Sequence, residues 1–391
     1  MSGLPAEVEA IREVAHEFTR RELLPLEREV QRREVTRGET NEPLIPPEDH
    51  TRLVDAAKRQ GLVGIDVPEE YGGMGLSMLA KAVAVEELNN SITPFRAPPE
   101  SPNLFYLAAA ATADQRSRYL EPYAKGEKTS ALALTEPDAG ADVGGIRTRA
   151  EKIDGGWLIT GNKLWISWAD TADFFITIAI TDPDKGKRGG MTAFLIDRDT
   201  PGVEISKPIL TMGEQRPFEV RFDGVEVSDD AILGDLGDAF IPLTNRLGVR
   251  RVEIGARCVG MCQRLIDMMC SYAKERETFG APLADRQGIQ FMIADSEMDL
   301  RAARLLVYDA AERLDGGLAD IRAEASTVKV FCTEMLSRTV DRALQIHGAM
   351  GYSKELPIEF IYRNSRILRI LEGPSEIHRT QIARLLLKSR A

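Results

Sequence analysis

The first third of the chain carries apolar residues every three or four positions, with charged residues between them. This pattern begins near Glu7 and continues to Val35, and its spacing predicts amphipathic helices. Pro25 falls inside the pattern and predicts a kink or an end of the first helix. The same spacing returns, between proline- and glycine-rich connectors, at 53–62, 77–89 and 105–112. We therefore predict a helical N-terminal domain over residues 1–128.

Near Thr129 the pattern changes to short runs that are rich in β-branched and aromatic residues. Turn sequences separate these runs, such as the Asp-Gly pairs at 154–155 and 223–224. No helical run of normal length lies between them, which indicates an all-β module rather than a parallel sheet crossed by helices. We predict this module over residues 129–232. Its runs lie at 131–135, 148–153, 157–160, 174–181, 192–197 and 219–227.

Helical spacing returns after Leu233 in longer stretches, in which Ala, Leu, Ile and Met recur at the intervals of a helix bundle. The pair Gly316-Gly317 supplies a short connection, as expected between antiparallel neighbours. These stretches predict a C-terminal four-helix bundle over residues 233–391, and a multidomain α+β fold for the whole chain. The predicted helices lie at 249–276, 287–315, 318–348 and 376–387.

Composition narrows the classes of function. The formal net charge of −11 argues against a duplex nucleic-acid binder, which needs cations to neutralise phosphates. No apolar stretch of about 20 residues is present, so we expect no membrane span. The N-terminus is polar and acidic, unlike a signal peptide. The four cysteines lie in helical sequence and fit buried thiols of a reducing, cytoplasmic compartment, and the four scattered histidines do not predict a metal site.

The chain lacks the glycine patterns of a Rossmann nucleotide site and of a P-loop. Three other segments resemble those of the acyl-CoA dehydrogenase family, in the family's order and over essentially the whole chain. They contain T-E-P-D-A-G-A-D (135–142) with G-N-K-L-W-I-S (161–167), R-E-T-F-G (276–280), and E-G-P-S-E (372–376). The resemblance implies helical, β-barrel and helical domains, an FAD cofactor, an acyl-CoA substrate, and a homotetramer built as a dimer of dimers.

The first segment, by this resemblance, supplies contacts to the flavin ring and to the substrate. Ala141 stands where relatives carry a serine near flavin and pantetheine. Taken alone, Trp165 would more often be a core aromatic, because aromatic side chains are usually buried; the accompanying motifs reverse that expectation. The residues implied to contact the flavin are Leu132, Leu134, Thr135, Ala141, Trp165 and Ser167.

The second segment carries charge. Arg276 matches the family position that reaches the FAD pyrophosphate in a neighbouring subunit, a role that suits the two parallel donors of a guanidinium group. The alternative is an exposed arginine at a helix end that contacts terminal carbonyls. The resemblance adds further cofactor contacts from this segment and the third, at Thr278, Phe279, Gln287, Gln345, Gly348, Ala349, Pro374 and Glu376.

The third segment is expected to supply the catalytic base. Glu372 matches the base of the family's commonest branch, and Gly373 allows close approach of the substrate. A second branch places its base at the position of Arg250, and an arginine cannot serve. A shielded carboxylate near the substrate suits removal of an α-proton. The alternative is a surface glutamate near a helix start, where the macrodipole favours it.

Three arginines near residue 250 form a cluster of uncertain role in the sequence. Arg251 matches a family residue that helps to hold the CoA portion of the substrate. Together with Arg246 and Arg250, it could bind CoA phosphates or pair with acidic residues of neighbouring helices, and the sequence does not choose between these roles.

Several positions depart from the family pattern. Pro374 and Glu376 replace the threonine and glutamine of the common E-G-T-S-Q sequence, and Gly248 falls where many relatives carry an acidic residue. These changes indicate an outlying subfamily, and the sequence does not identify the acyl group of the substrate.

The resulting hypothesis is dehydrogenation of an acyl-CoA thioester to the trans-2-enoyl-CoA, with an electron-transfer flavoprotein as acceptor. One alternative keeps the flavin and changes the reaction, to that of an oxidase, a nitroalkane-oxidising enzyme or a desulfinating enzyme. A more distant alternative is a non-catalytic, nucleic-acid-associated member of the fold.

Overall fold

A computed structural model describes residues 3–318 and 320–389. Its N-terminal region is helical, as predicted. The interruption predicted at Pro25 is confirmed, since a 3-10 turn over Leu24–Leu26 separates the first two helices of regular geometry. The helices of this region are α1 Ala6–Phe18, α2 Glu27–Thr36, α3 Pro47–Arg59, α4 Met78–Leu88, α5 Ser101–Ala110, α6 Ala113–Gln115 and α7 Glu121–Ala124.

The middle region is an eight-stranded sheet. In spatial order the strands run β6, β7, β3, β2, β4, β5 and β8, and β1 pairs in parallel with β4 off this path. Their bounds are β1 Ser130–Ala133, β2 Arg149–Ile153, β3 Gly156–Ser167, β4 Phe174–Ile180, β5 Met191–Asp197, β6 Val203–Ile205, β7 Pro217–Ser228 and β8 Ile232–Leu233.

Closure of this sheet into a barrel is not confirmed. Among the described residues, no ladder joins the terminal strands β6 and β8. These strands contain only three and two residues, so they offer few backbone groups with which a closing ladder could form. The coarser prediction, an all-β middle region between two helical regions, is confirmed.

The C-terminal region contains three long helices and a shorter last one, as predicted. The first begins nine residues earlier than its apolar spacing indicates, because Gly248 lies inside it. A Cβ atom at Gly248 would meet Ile321 Cγ2 at 2.4 Å, so this glycine allows close packing and does not end the helix. The elements are α8 Phe240–Glu275, β9 Glu277–Thr278, β10 Ala281–Pro282, α9 Gln287–Asp315, α10 Arg322–His347, α11 Ala349–Tyr352, α12 Ile358–Ser365 and α13 Ser375–Ser389.

The two helical regions share one hydrophobic core. Buried side chains of α1, α3 and α4 pack in the same cluster as those of α8, α9 and α10. The approach of α4 to α8 is close, since a Cβ atom at Gly260 would lie 2.0 Å from the carbonyl oxygen of Glu86. The sheet packs through two other clusters, one of which includes α5. The turn before α13 contacts α8 through Arg251 and α10 through Lys329.

Within the part of the chain that is described, the structure contains no helix with both the length and the apolar character needed to cross a lipid bilayer.

Candidate active site

Glu372 lies in the turn that precedes α13, in an unusual backbone conformation. Its φ angle is +56°, and Gly373 follows with φ +93°. A non-glycine residue in the left-handed region is held there by its surroundings, and such residues concentrate at functional sites. The surroundings that hold Glu372 are side chains from other helices.

Three side chains hold the backbone of this turn. Arg251 Nε on α8 donates a 3.1 Å hydrogen bond to the carbonyl oxygen of Glu372, and His378 Nε2 lies 3.1 Å from the same oxygen. Lys329 Nζ on α10 donates a 2.7 Å bond to the carbonyl oxygen of Gly373. The conformation of Glu372 is therefore set by one nearby residue, His378, and by two that are distant in sequence, Arg251 and Lys329.

The tautomer of His378 follows from its two partners. Burial, with Arg251 and Lys329 nearby, lowers the pKa of His378 to about 4, so its ring is neutral at pH 7. Because Nε2 faces a carbonyl oxygen it must carry the proton, and Nδ1 then accepts from the Ser326 hydroxyl at 3.1 Å. His378 thus positions the turn and is not itself a base in this state.

The carboxylate of Glu372 is sheltered and faces a buried cation. Arg246 Nη1 lies 3.4 and 3.5 Å from its two oxygens, and the side chains of Arg246 and Glu372 are 6% and 19% exposed. Arg246 Nε donates to Asn103 Oδ1 at 3.0 Å, and Asn103 Nδ2 donates to Ser130 Oγ at 2.8 Å. A short chain of polar contacts therefore connects Glu372 through α8 and α5 to the beginning of β1.

Arg250 is fully engaged in ion pairs. Its Nη1 lies 3.0 Å from Glu253 Oε2 and 3.6 Å from Glu100 Oε1, and Arg96 Nη1 lies 2.6 Å from the same oxygen of Glu100. Burial alone would raise the pKa of Glu100, but the guanidinium groups of Arg250 and Arg96 outweigh burial and lower it. Glu100 is therefore an anion that neutralises its neighbours.

A cavity lies between α4 and α8, close to these ion pairs. One part of its wall is apolar and includes Ala84, Val85, Leu88 and Phe95. The other part is charged and consists of Lys81, Arg96, Glu100, Arg250, Glu253 and Arg257. The lining of this cavity is therefore apolar on one side and charged on the other.

The structure brings together the predicted flavin contacts of the sheet. Leu132 lies in β1, Leu134 and Thr135 follow it, and the Thr135 carbonyl oxygen accepts a 2.8 Å bond from the N–H of Leu164. Trp165 lies next to this contact, at an irregularity in the pairing of β3 with β7, and Ser167 ends β3 opposite Pro217. Ala141 is exposed in the loop after β1.

The other predicted cofactor residues lie on the surface at the ends of helices. Arg276 directly follows α8, and Phe279 lies in the tight β9–β10 turn with φ +50°. Among the described residues, no hydrogen bond or ion pair connects this group with the Glu372 carboxylate. The exposed members are Arg276, Phe279, Gln287, Gln345, Gly348, Ala349 and Glu376, whereas Thr278 and Pro374 are half-buried.

These exposed groups fit FAD. Trp165 is 53% exposed with φ +63°, and Phe279 is 99% exposed. Large apolar side chains held outward in a strained conformation suit a surface that another flat or apolar group will cover. The exposed guanidinium of Arg276 suits a pyrophosphate. The residues present therefore match an aromatic ring system joined to a diphosphate.

Sequence reasoning did not identify several residues of this site. Trp168 has φ +65° and is 37% exposed, and Arg96 lies 5.4 Å from the centre of its ring. Asn103, Lys329 and His378 were also missed. Only Trp168 carried an indication in the sequence, since it directly follows the G-N-K-L-W-I-S segment; the others are defined by contacts between distant helices.

Comparisons with known proteins agree with this arrangement. The N-terminal, middle and C-terminal domain families of the acyl-CoA dehydrogenases match residues 5–127, 131–225 and 241–387. A butyryl-CoA dehydrogenase structure from Megasphaera elsdenii superposes with a TM-score of 0.90 at 30% identity, covering 99% of this chain and 100% of that one.

Two curated relatives show the range of reactions. The (R)-benzylsuccinyl-CoA dehydrogenase of Thauera aromatica is 45% identical over 98% of this chain and 96% of its own length. Subunit CarC of the caffeyl-CoA reductase-Etf complex of Acetobacterium woodii is 34% identical over 86% of this chain and 89% of its own. The chain therefore belongs to the acyl-CoA dehydrogenase family, the FAD-dependent oxidoreductases that act on acyl-CoA thioesters.

Proposed function

We propose that the protein dehydrogenates an acyl-CoA thioester at its α and β carbons, with Glu372 as the base that removes the α-proton. The observation that carries this proposal is the sheltered Glu372 carboxylate on a turn held by α8 and α10. A carboxylate in a fixed position and largely removed from water is suited to take a proton from carbon. Bound FAD supplies the acceptor for the hydride that leaves the β-carbon.

The turn contributes more than the position of one carboxylate. Arg251 and Lys329 place positive charge beside it through their bonds to the Glu372 and Gly373 carbonyl oxygens. Such charge favours the anionic character that develops on the thioester as the α-proton leaves. The turn requires glycine at position 373, because its φ is +93° and a Cβ atom there would lie 3.0 Å from His378 Nε2.

The departures at Pro374 and Glu376 are compatible with this role. Pro374 directly precedes α13, where the missing backbone N–H would have no partner within the helix. Its carbonyl oxygen accepts the 3.0 Å bond from the N–H of Ile377 that begins the helix. Pro374 therefore supports the turn, and Glu376 stays exposed on the first turn of α13.

The cofactor contacts are divided between two surfaces. In this proposal Leu132, Leu134, Thr135, Trp165 and Ser167 contact the flavin ring from one subunit. The exposed residues at the ends of α8 and α10, with Arg276 on the pyrophosphate, reach the FAD of a neighbouring subunit in a homotetramer. The proposed compartment is the cytoplasm, and the four thiols remain reduced.

An electron-transfer flavoprotein is the proposed partner for reoxidation. The Acetobacterium woodii relative is named as part of a complex with such a protein, and as a reductase. Because Glu372 can return the proton that it takes, the same residues can catalyse reduction of an enoyl-CoA. Assays should therefore measure both dehydrogenation of the acyl-CoA and reduction of the enoyl-CoA. An oxygen-consumption assay without the flavoprotein distinguishes an oxidase from a dehydrogenase.

The decisive variant is Glu372→Gln in the FAD-loaded enzyme. We expect it to retain its FAD and lose about 10²–10⁴-fold in turnover, which is the usual contribution of a general base. Glu312→Gln, an exposed glutamate on α9, is the matched control and keeps full activity. The substrate panel includes straight-chain, aryl and dicarboxylic thioesters, among them benzylsuccinyl-CoA. Substantial turnover by Glu372→Gln would refute the assignment.

A further inference from the structure

Arg246 is a buried cation with incomplete pairing. Its Nε is used by Asn103, a neutral partner, and its Nη1 meets both Glu372 oxygens at 3.4 and 3.5 Å. These distances are longer than the 2.7–2.9 Å that is usual between guanidinium and carboxylate groups. Among the described residues, no side chain or backbone group accepts a hydrogen bond from Nη2. Arg246 thus has unused N–H donors beside the proposed base.

The proposed reaction removes the only carboxylate that pairs with Arg246 in the described structure. When Glu372 takes the α-proton it becomes neutral, and Arg246, 6% exposed, is left with Asn103 alone. A buried guanidinium without an anion is strongly unfavourable. The negative charge passes to the reacting thioester at this step, so a neutral acyl group offers the Nη2 group of Arg246 no carboxylate.

The neighbouring ion pairs cannot supply the missing charge. We use "arginine cluster" for Arg96, Arg246, Arg250 and Arg251. These four cations are opposed by three carboxylates, namely Glu100, Glu253 and Glu372. Glu100 already serves two arginines and Glu253 pairs with Arg250.

Arg257 and Lys81, which lie just outside this cluster, have carboxylate partners of their own. Arg257 Nη2 pairs with Glu214 at 3.1 Å, and Lys81 Nζ lies 3.6 Å from Asp66. The arginine cluster therefore keeps one cation more than its carboxylates, and a carboxylate on the substrate would balance it.

We propose that Arg246 binds a carboxylate on the acyl group, so that the substrate is the CoA thioester of a dicarboxylic acid. This inference rests on the proposed function, because it uses Glu372 as the base. The CoA phosphates are not the anion, since the pantetheine arm separates them from the α-carbon beside Glu372. Arg246 contacts the base itself, so the second carboxylate must lie within a few bonds of the α-carbon, as in a succinyl or substituted succinyl thioester.

Two members of the arginine cluster also line the cavity between α4 and α8. Its charged wall contains Arg96 and Arg250, and its apolar wall contains Val85, Leu88 and Phe95. A substituted succinyl group would present its carboxylate to the arginine cluster and an apolar substituent to the opposite wall. The distribution of charge and apolar surface thus matches one class of acyl group.

The test compares thioesters that differ only in charge. Methylsuccinyl-CoA and benzylsuccinyl-CoA are each measured against the methyl ester of the same free carboxylate, with the FAD-loaded wild-type enzyme. We expect kcat/KM for the acid to exceed that for the ester by about 10²-fold or more, as for loss of one partner of a buried charge pair. Binding of non-reactive thioether analogues, measured by calorimetry, should show the same preference without turnover.

Variants then assign the preference to one residue. Arg246→Met should reduce the acid-to-ester ratio to a few-fold, and Arg246→Lys should keep part of it. Arg264→Met removes an arginine on the same helix that pairs with Glu27, and it should leave the ratio unchanged. Retained FAD content and melting temperature show that each variant is folded.

The outcomes separate this inference from the proposed function. Equal turnover of acid and ester, or an Arg246→Met variant that loses both equally, would overturn the role of Arg246 and leave the dehydrogenase intact. If no acyl-CoA of either charge reacts and Glu372→Gln changes nothing, the proposed function itself fails.

Discussion

The turn at Glu372 and the hairpin at Phe279 differ in their contacts and in their exposure to solvent. The turn is held by Arg251, Lys329 and His378 from three helices, and its glutamate side chain is 19% exposed. The hairpin presents Phe279 almost fully to solvent and leaves Arg276 exposed. Both segments contain a non-glycine residue with positive φ. In the proposed function, one chain therefore completes the proton-transfer site, whereas the cofactor-binding surface requires a neighbouring subunit.

The largest effect should come from loosening the turn. Arg251→Met removes the 3.1 Å bond to the Glu372 carbonyl oxygen and a buried cation. A hydrogen bond from a charged group contributes about 1.5–3 kcal/mol, and a misplaced base costs about 10²-fold in rate. We expect kcat to fall about 10²-fold while FAD content stays unchanged, as measured by steady-state kinetics and absorbance. A loss of FAD with unchanged kcat per flavin would show that Arg251 serves the cofactor instead.

A smaller and opposite pattern is expected at the hairpin. Arg276→Gln removes an exposed charge that the proposal places on the pyrophosphate, so FAD affinity should fall about tenfold. The melting temperature without FAD should stay the same, because Arg276 makes no ion pair among the described residues. Equilibrium dialysis measures FAD affinity, and Arg301→Gln, an exposed arginine of α9, is a control. Unchanged FAD binding in Arg276→Gln would remove this arginine from the cofactor site.

The smallest effect is a pH dependence of stability at the turn. The pKa of His378 is lowered from 6.5 to about 4, chiefly by burial. Between pH 6.5 and about pH 4, His378 is protonated in the unfolded chain but remains neutral in the folded one. The free energy of unfolding therefore falls as pH decreases through that window. His378→Gln should flatten this dependence in melting curves. An identical pH profile in the variant would mean that His378 does not titrate as described.

The order of helices and sheet was predictable, because burial imposes the helical and alternating periods on the sequence itself. The early start of α8 was not, since Gly248 interrupts the apolar pattern for a packing reason that involves Ile321. Motif matching singled out Glu372, and the structure places this residue in a turn with a left-handed backbone. Its left-handed backbone depends on Arg251 and Lys329, which no local pattern connects with it.

The same limit applies to the arginine cluster. From the sequence, Arg246 and Arg250 were equally able to bind CoA phosphates or to pair with acidic residues of neighbouring helices. In the structure Arg250 pairs with Glu100 and Glu253, whereas Arg246 contacts Glu372, the proposed base. The two arginines lie one helical turn apart on α8. The packing of α5 against α8 decides which of them has unused N–H donors.

The most direct test follows the α-proton itself. A non-oxidisable acyl-CoA analogue is incubated in D2O with the FAD-loaded enzyme, and loss of its α-proton resonance is recorded by NMR. We expect exchange with wild-type enzyme and with Glu312→Gln, and a rate at the solvent background with Glu372→Gln. Exchange by Glu372→Gln at the wild-type rate would show that another group takes the proton.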